Sequence, residues 1–524
     1  MSSTAAAWTP PSGLYNATVD MIDRNVAEGR GAKIALVDPQ TKLTYAELSE
    51  RVDRFANAIP RLGIGRERRI ALILLDTVDL PVVFWGAIKA GVVPVPINTL
   101  LPPDMWRYMI EDSRASAVVI SAELYERAAP MLEDIQQRRH LHVIVDDQPS
   151  DGKILSLKTL VASSAPKAEA VDSHADDVAF WLYSSGSTGA PKGTCHVQSS
   201  LMATAKLFGC GVLGVQESDV VFSAAKLFFA YGLGNGMSFP FAVGATAVLM
   251  PERPTPDSVM ATMRANNPTI FCGVPTLFGA ILAHPELKSG AGSNRLRLCL
   301  SAGEALPEDI GNRWQKAVGT EIIDGIGSTE MLHIFVSNAP GKVRYGSSGV
   351  PVPGYDAKLV DDDGSLVPQG EIGELVIRGP SAAQGYWLQR EKSRRTFRGE
   401  WTHTGDKYRI GDDGNYYYCG RTDDMFKVSG IWVSPFEVES ALVSHKAVLE
   451  AAVIGREDAD GLLKPAAFIV LKPGITGDDK LLEELKAHVK AGAGAWKYPR
   501  WMEFRSDLPK TATGKIQRFK LREE

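Results

Sequence analysis

Between residues 33 and 145 the chain repeats one pattern: a short apolar run, a stretch with helical spacing, and a second apolar run. Lys33–Val37 reads as a strand. Thr44 to Leu62 reads as a helix, with Thr44 as N-cap and Glu47 three residues on, the pattern of a capping box. Ile70–Leu75, Leu80–Ala90 and Val92–Ile97 then read as strand, helix and strand. Ala117–Ile120, Leu124–Gln137 and Leu141–Val145 repeat the sequence. Links this short between such elements join parallel neighbours, so the chain is constrained to an α/β sheet architecture. From Ala357 the texture changes. Ala357–Val360, Gly373–Ile377 and Gly414–Cys419 are short strands separated by turns such as Asp363-Gly364 and Asp413-Gly414. They predict a small β-rich subdomain. After Arg421 a compact α+β unit is expected, with helices at Pro435–Val443 and Asp478–Ala491 and strands at Leu449–Gly455 and Ala466–Leu471. The expected fold class is α/β: a large composite N-terminal domain of α/β sheet subdomains plus the β-rich subdomain, then a small α+β C-terminal domain.

Leu227 to Pro251 carries no charge and exceeds the roughly 20 residues that a helix needs to cross a bilayer. Gly232, Gly234, Gly236, Pro240 and Gly244 punctuate it, so a buried core segment ending in a strand at Ala245–Met250 is expected instead. The net charge of −5 gives no general attraction to nucleic acid or acidic lipid. From Lys490 to Glu524, however, nine Lys and Arg face four Asp and Glu. The five cysteines include no CxxC pair, which points away from a zinc site or a disulfide framework. The N-terminus has no basic segment followed by an apolar one, so the cytoplasm is the expected compartment.

The string Tyr183-Ser184-Ser185-Gly186-Ser187-Thr188-Gly189-Ala190-Pro191-Lys192-Gly193 follows the apolar run Val178–Leu182. Its glycines permit tight turns, and its four hydroxyls and one ammonium suit phosphate oxygens. A flexible surface turn is the plain alternative. The Walker spacing is absent, because Lys192 is followed by Gly193.

This string resembles the phosphate-binding loop of the adenylate-forming superfamily, which includes acyl- and aryl-CoA synthetases, adenylation domains and firefly luciferase. Five further segments match in order: Ser301-Ala302-Gly303-Glu304, Gly327-Ser328-Thr329-Glu330, His403-Thr404-Gly405-Asp406, Gly420-Arg421-Thr422-Asp423-Asp424 and Pro509-Lys510-Thr511-Ala512-Thr513-Gly514-Lys515. One such match is weak, whereas six in order are specific.

The resemblance implies roles residue by residue. Ser184, Ser185, Gly186, Ser187, Thr188, Gly189 and Lys192 would cradle the phosphates of ATP. Thr329 would contact the α-phosphate and Glu330 would hold Mg²⁺. Gly303, Glu304, Asp324, Gly325 and Ile326 would line the adenine pocket; relatives often carry an aromatic where Ile326 stands. Asp406, read as lying in a strand-to-turn context, would bind the ribose hydroxyls, and Arg421 would also contact the nucleotide. Taken alone, each of these polar residues reads as solvated surface. Lys515 would place its ammonium between carboxylate and phosphate, offsetting their repulsion in the transition state. Asp423 matches the family hinge, dividing an ATP- and acid-binding domain (1–422) from a mobile C-terminal domain (423–524). Lys427, Ser429 and Gly430 would approach the pantetheine of CoA.

Phe229, Ala230 and Tyr231, with Gly327, His333 and Ile334, would form a small apolar slot suited to a flat aromatic acid. His333 reads equally as a satisfied core histidine. The region resembles benzoate-CoA ligases. The expected function is therefore an ATP-dependent aryl-CoA ligase using ATP, Mg²⁺ and CoA. Alternatives from the same motifs are an adenylation enzyme loading a carrier protein, a luciferase-type oxygenase, and a non-catalytic nucleotide-binding sensor. The expected partners are an aromatic carboxylate, ATP and CoA, with no nucleic acid and no membrane. The resemblance adds a lysine acetyltransferase acting on Lys515, and a homo-oligomer stays open.

Overall fold

The structure is a computed structural model that describes residues 8–186, 189–422, 424–428, 431–459, 462–494, 497–510 and 516–523. Among these residues the strands form six sheets. Two of them carry the repeated α/β pattern. A five-stranded parallel sheet runs in the order Val93–Pro96, Arg69–Ile73, Ala117–Ile120, His142–Val145, Leu155–Ser156. A nine-stranded sheet runs from Val350–Pro351 through Ile334–Ser337, Ile322–Gly327, Leu298–Ser301, Ile270–Gly273, Val220–Ser223, Thr246–Val248 and Ile34–Val37 to Lys42–Thr44. Its central strands are parallel, and Ile334–Ser337 turns back antiparallel on Ile322–Gly327. Strands buried on both faces need continuous apolar runs, and Leu298–Ser301 and Ile270–Gly273 are buried at every residue.

The first expected helix forms over Tyr45–Arg61. Thr44 and Glu47 make the capping box reciprocally, each side chain accepting from the other's backbone N–H. Its apolar face meets the helix Asp79–Lys89, which is buried over nearly its whole length. A further helix, Pro103–Asp112, lies where the sequence suggested no element. It starts with proline in its first turn, where the missing N–H costs nothing. The uncharged stretch is core, as expected. Helical turns at Ala230–Leu233, Gly234–Ser238 and Phe239–Val243 lead to the strand Thr246–Val248. Among the described residues no helix is long and apolar enough to cross a membrane.

The β-rich part is a five-stranded antiparallel sheet built from Asp356–Val360, Gly373–Arg378, Trp401–Ile410, Phe397–Arg398 and Tyr416–Arg421. Beyond it, helices Pro435–Val443 and Asp479–Ala493 pack on a sheet of Val448–Glu457, Leu463–Leu471 and Trp501–Arg505. This part has its own core, which includes Val438, Leu442, Val453, Ile469, Leu485 and Val489. The cysteines are all unpaired thiols.

Candidate active site

The glycine-rich string is the tip of an antiparallel hairpin, Val178–Gly186 with Gly189–Val197. Ser184 stands opposite Lys192 in its register. The base is anchored on the helix Pro103–Asp112. Tyr183 Oη donates to Asp112 Oδ2 at 2.6 Å, and Trp387 Nε1 donates to the Asp112 carbonyl at 3.0 Å. Arg69 lies over the rings of Trp181 and Trp387, 5.6 and 5.2 Å from their centroids. Ser187 and Thr188 lie outside the described residues. Ser185, Gly186 and Gly189 are placed on the hairpin by their backbone.

Thr329 and Glu330 follow the end of the strand Ile322–Gly327. The carboxyl ends of parallel strands open onto a crevice where ligands bind in such sheets. The structure brings Glu330 to the hairpin. Glu330 Oε1 lies 3.4 Å from Ser184 Oγ and 3.9 Å from Lys192 Nζ. Tyr386 Oη, which no motif marked, donates to the same oxygen at 2.7 Å. Its strand, Gly385–Tyr386, pairs with the second arm of the hairpin, and this pairing delivers the phenol. Burial pushes the Lys192 pKa below the ordinary lysine range, and the Glu330 carboxylate opposes that shift. Among the described residues no cluster of three or more His, Cys, Asp or Glu could hold a metal. A single carboxylate fits a hard cation that takes most of its ligands from phosphates and water.

Asp324 sits on the same strand, opposite Ser301. It is fully buried, and loss of solvent raises its pKa well above the carboxylate range. Gly325 and Ile326 continue the strand, and Gly303 adopts a left-handed φ of 95° at the end of the neighbouring one. Glu304 is half-buried beside it.

Where the sequence suggests a strand-to-turn context, Asp406 is followed by further strand. It lies within the strand Trp401–Ile410, directly opposite Arg421 on Tyr416–Arg421. Arg421 Nη1 donates to Asp406 Oδ1 at 3.1 Å and to the Thr404 carbonyl at 3.0 Å. Gly405, just before Asp406, has a φ of 71°, and the pairing with Gly373–Arg378 shifts register there without the strand ending.

The residues expected to form the apolar slot lie at Phe229 and the helical turns after it, and on the strands Ile322–Gly327 and Ile334–Ser337 or between them. Tyr231 Oη lies 2.8 Å from the Leu300 carbonyl and 3.0 Å from that of Gly273, which ties the ring to two strand ends. His333 is buried among Phe208, Phe239 and Tyr231, with its Nε2 3.3 Å from the Tyr231 carbonyl. Burial depresses its pKa to about 3, so the imidazole is neutral. A Cβ on Gly234 would stand 2.3 Å from His333 Cδ2, and one on Gly327 would stand 2.6 Å from the His333 carbonyl oxygen. Only glycine allows these approaches. Ile334 is buried on the adjoining strand, while Phe229 is half-buried and Ala230 is buried. Upstream, Lys226 donates to the Met250 and Glu252 carbonyls, and Leu227 N donates to Asp76.

Lys515, Asp423, Ser429 and Gly430 lie outside the described residues; Lys427 is placed by its backbone on the strand Phe426–Val428. The flanks of Lys515 are described. Lys510 pairs with Ile516 in an antiparallel bridge and reaches Glu450 at 2.7 Å. Arg518 donates to both oxygens of Glu439 at 2.9 and 2.7 Å and contacts Asp424 at 3.4 Å.

Comparison with known proteins follows the same lines. The sequence pattern of AMP-binding enzymes matches residues 23–387, and that of the AMP-binding enzyme C-terminal domain matches residues 437–515. The chain is 55% identical to a benzoate–CoA ligase of Thauera aromatica over 98% of both chains. It is 54% identical to a 4-hydroxybenzoate–CoA/benzoate–CoA ligase of Rhodopseudomonas palustris, covering 97% of this chain and 94% of that one. Among solved structures it superposes on a benzoate CoA ligase from Burkholderia xenovorans with a TM-score of 0.90 at 51% identity, covering 97% and 100% of the two chains. An anthranilate CoA ligase in complex with anthranoyl-AMP gives a TM-score of 0.92 at 44% identity, with 99% and 98% covered. By motif order, by sheet architecture and by these full-length similarities, the chain belongs to the AMP-binding enzyme family, the adenylate-forming superfamily that its six motifs resemble.

Proposed function

We propose that this chain is an ATP-dependent aryl-CoA ligase that activates an aromatic carboxylate, benzoate foremost, and passes it to CoA. The observation that carries the reading is the convergence of Ser184 and Lys192, at the phosphate-type hairpin, on the strand-end carboxylate of Glu330. Full-length similarity to benzoate–CoA ligases supports the choice of acid.

In the first half-reaction a carboxylate oxygen of the acid attacks the α-phosphorus of ATP. The bond to the bridging oxygen breaks, and pyrophosphate leaves with that electron pair. In the second, the sulfur of CoA attacks the carbonyl carbon of the acyl adenylate. AMP leaves with the electrons of the carbon–oxygen bond, and the thiol proton passes to solvent. No side-chain nucleophile is needed, so catalysis is positioning and charge stabilisation.

The hairpin hydroxyls and Lys192 bind the phosphates, and Thr329 contacts the α-phosphate. Asp406 accepts from the ribose hydroxyls while Arg421 holds its carboxylate in place. Asp324, Gly325, Ile326, Gly303 and Glu304 border the base. Glu330 would hold Mg²⁺, which when bound neutralises phosphate charge. Lys515 brings a positive charge between acid and α-phosphate. The domain division at Asp423, between the two matched family segments, lets the C-terminal part turn so that Lys427, Ser429 and Gly430 meet CoA. Acetylation of Lys515 would remove the charge that the first half-reaction needs. The slot of Phe229, Ala230, Tyr231, Gly327, His333 and Ile334 receives the ring; the neutral, buried His333 gives it an uncharged wall.

The test separates the half-reactions. Enzyme with ATP, Mg²⁺ and benzoate should form benzoyl-AMP and pyrophosphate, and added CoA should convert the adenylate to benzoyl-CoA. Transfer to a holo-carrier protein in preference to CoA would favour the carrier-loading reading instead.

A further inference from the structure

The Glu330 carboxylate is approached by a phenol, a hydroxyl and an ammonium, and each contact is to Oε1. Tyr386 Oη donates to it at 2.7 Å, Ser184 Oγ lies 3.4 Å away and Lys192 Nζ lies 3.9 Å away. The same phenol ring carries the ammonium, because Lys192 Nζ sits 4.2 Å from the Tyr386 ring centroid. The residue is held through its ring and its backbone. Tyr386 is 7% exposed and lies 5.4 Å from the Phe397 ring. Its backbone pairs with Thr194 on the strand that bears Lys192. Ala383 N, three residues upstream, donates to the Glu330 carbonyl at 2.8 Å. Tyr386 thus touches the hairpin strand, the lysine and the carboxylate at once.

We propose that Tyr386 is a positioning residue for the divalent cation that accompanies ATP. It ties down Oε1 of Glu330, leaves Oε2 as the ligating oxygen, and keeps Lys192 beside the carboxylate until the nucleotide arrives. This rests on the reading of Glu330 as the cation's carboxylate. The terminal torsion of a glutamate is soft, so an unheld carboxylate presents its oxygens over a wide range of directions. A hydrogen bond to a charged acceptor is short and strong enough to remove that freedom. A small hard cation demands near-ideal octahedral geometry and gains most from a ligand already in place. Before ATP binds, the Lys192 ammonium offsets the charge of Glu330. With the cation bound, the ammonium would be free to contact a phosphate oxygen; ionic contacts, hydrogen bonds and the carboxylate's coordination of the cation would exchange, and no covalent bond is made or broken.

The test reads binding. α,β-Methylene-ATP, which cannot be cleaved between its α and β phosphorus atoms, is titrated calorimetrically into the full-length enzyme in Mg²⁺ and in EDTA. Wild-type enzyme should bind it more tightly with Mg²⁺. Tyr386→Phe keeps the ring under Lys192 and against Phe397, and should lower that Mg²⁺ advantage about tenfold, the value of one hydrogen bond to a charged group. Affinity in EDTA should stay within about twofold, since the phenol acts through the cation site. In a Glu330→Gln background, Tyr386→Phe should cause no further loss. An unchanged Mg²⁺ advantage in Tyr386→Phe, or an equal loss in both backgrounds, would overturn the proposal. A wild-type enzyme with no Mg²⁺ advantage would instead remove Glu330 as the cation's ligand, and the proposal with it.

Discussion

Arg421 and Asp406 face each other across two neighbouring antiparallel strands, and the guanidinium donates to the carboxylate at 3.1 Å. The same guanidinium nitrogen also holds the Thr404 carbonyl, so the carboxylate is anchored to the strand that bears it. An acceptor held in one orientation can take two vicinal hydroxyl donors without first losing its own freedom. Asp406→Asn should therefore raise the KM for ATP about tenfold through loss of charge-assisted bonds, leaving the KM for the acid unchanged. Steady-state kinetics with each substrate varied in turn checks this. A rise confined to the acid would place Asp406 elsewhere in the site.

Lys515 should separate the half-reactions. Lys515→Ala should slow formation of the acyl adenylate by about two to three orders of magnitude, as expected when one preorganised charge is removed from a phosphoryl transition state. Conversion of supplied benzoyl-AMP and CoA to benzoyl-CoA should continue, because that step breaks the acyl carbon–oxygen bond and makes or breaks no bond at phosphorus. Equal losses in both assays would point to a folding role.

Gly234 should admit no larger residue. A Cβ there would lie 2.3 Å from His333 Cδ2, inside a cluster that Phe208, Phe239 and Tyr231 already fill. Gly234→Ala should cost about 1–3 kcal/mol of stability by overpacking and displace His333 from its place among these rings. Benzoate turnover should fall with it, and thermal melts with kcat/KM for benzoate measure both. A variant with unchanged melting and turnover would show that His333 has room to move.

Asp76 is a built-in cost at neutral pH. It is fully buried, and desolvation raises its pKa from 3.8 to about 6, although Lys226 and the Leu227 N–H both favour its charge. A carboxyl raised in the folded state contributes stability that is fully present below its unfolded pKa and lost as pH rises through about 6. Asp76→Asn keeps an acceptor for Leu227 and should raise the melting temperature at pH 8, with a ceiling of about 3 kcal/mol from a shift of about two pKa units. At pH 4 the advantage should vanish. Equal melting at both pH values would mean that the charge of Lys226 balances the carboxylate.

The sequence and the structure agree where the signal is local. The Thr44–Glu47 capping box forms as its spacing demands. Ser184, Lys192 and Glu330 were each legible within a short motif, and the strand pairing brings them together. The helix Pro103–Asp112 was missed because its apolar stripe is short, with only Trp106, Met109 and Ile110 buried. Asp406 reads as lying in a strand-to-turn context, yet it pairs with Arg421 inside the strand Trp401–Ile410, just after Gly405, around which the pairing with Gly373–Arg378 shifts register. Tyr386 had no signal at all. Its partner Glu330 is 56 positions away, and the contact exists only because a two-residue strand pairs with the hairpin.

The central claim is that the site makes an aryl adenylate and transfers it to CoA. Its most direct measurement is AMP release with ATP, Mg²⁺ and CoA across benzoate, substituted benzoates, cinnamates and short fatty acids. Benzoate and small ring-substituted benzoates should turn over fastest, with the matching aryl-CoA appearing one-for-one with AMP. Faster turnover of fatty acids than of every aryl acid, or AMP release without a thioester product, would contradict it.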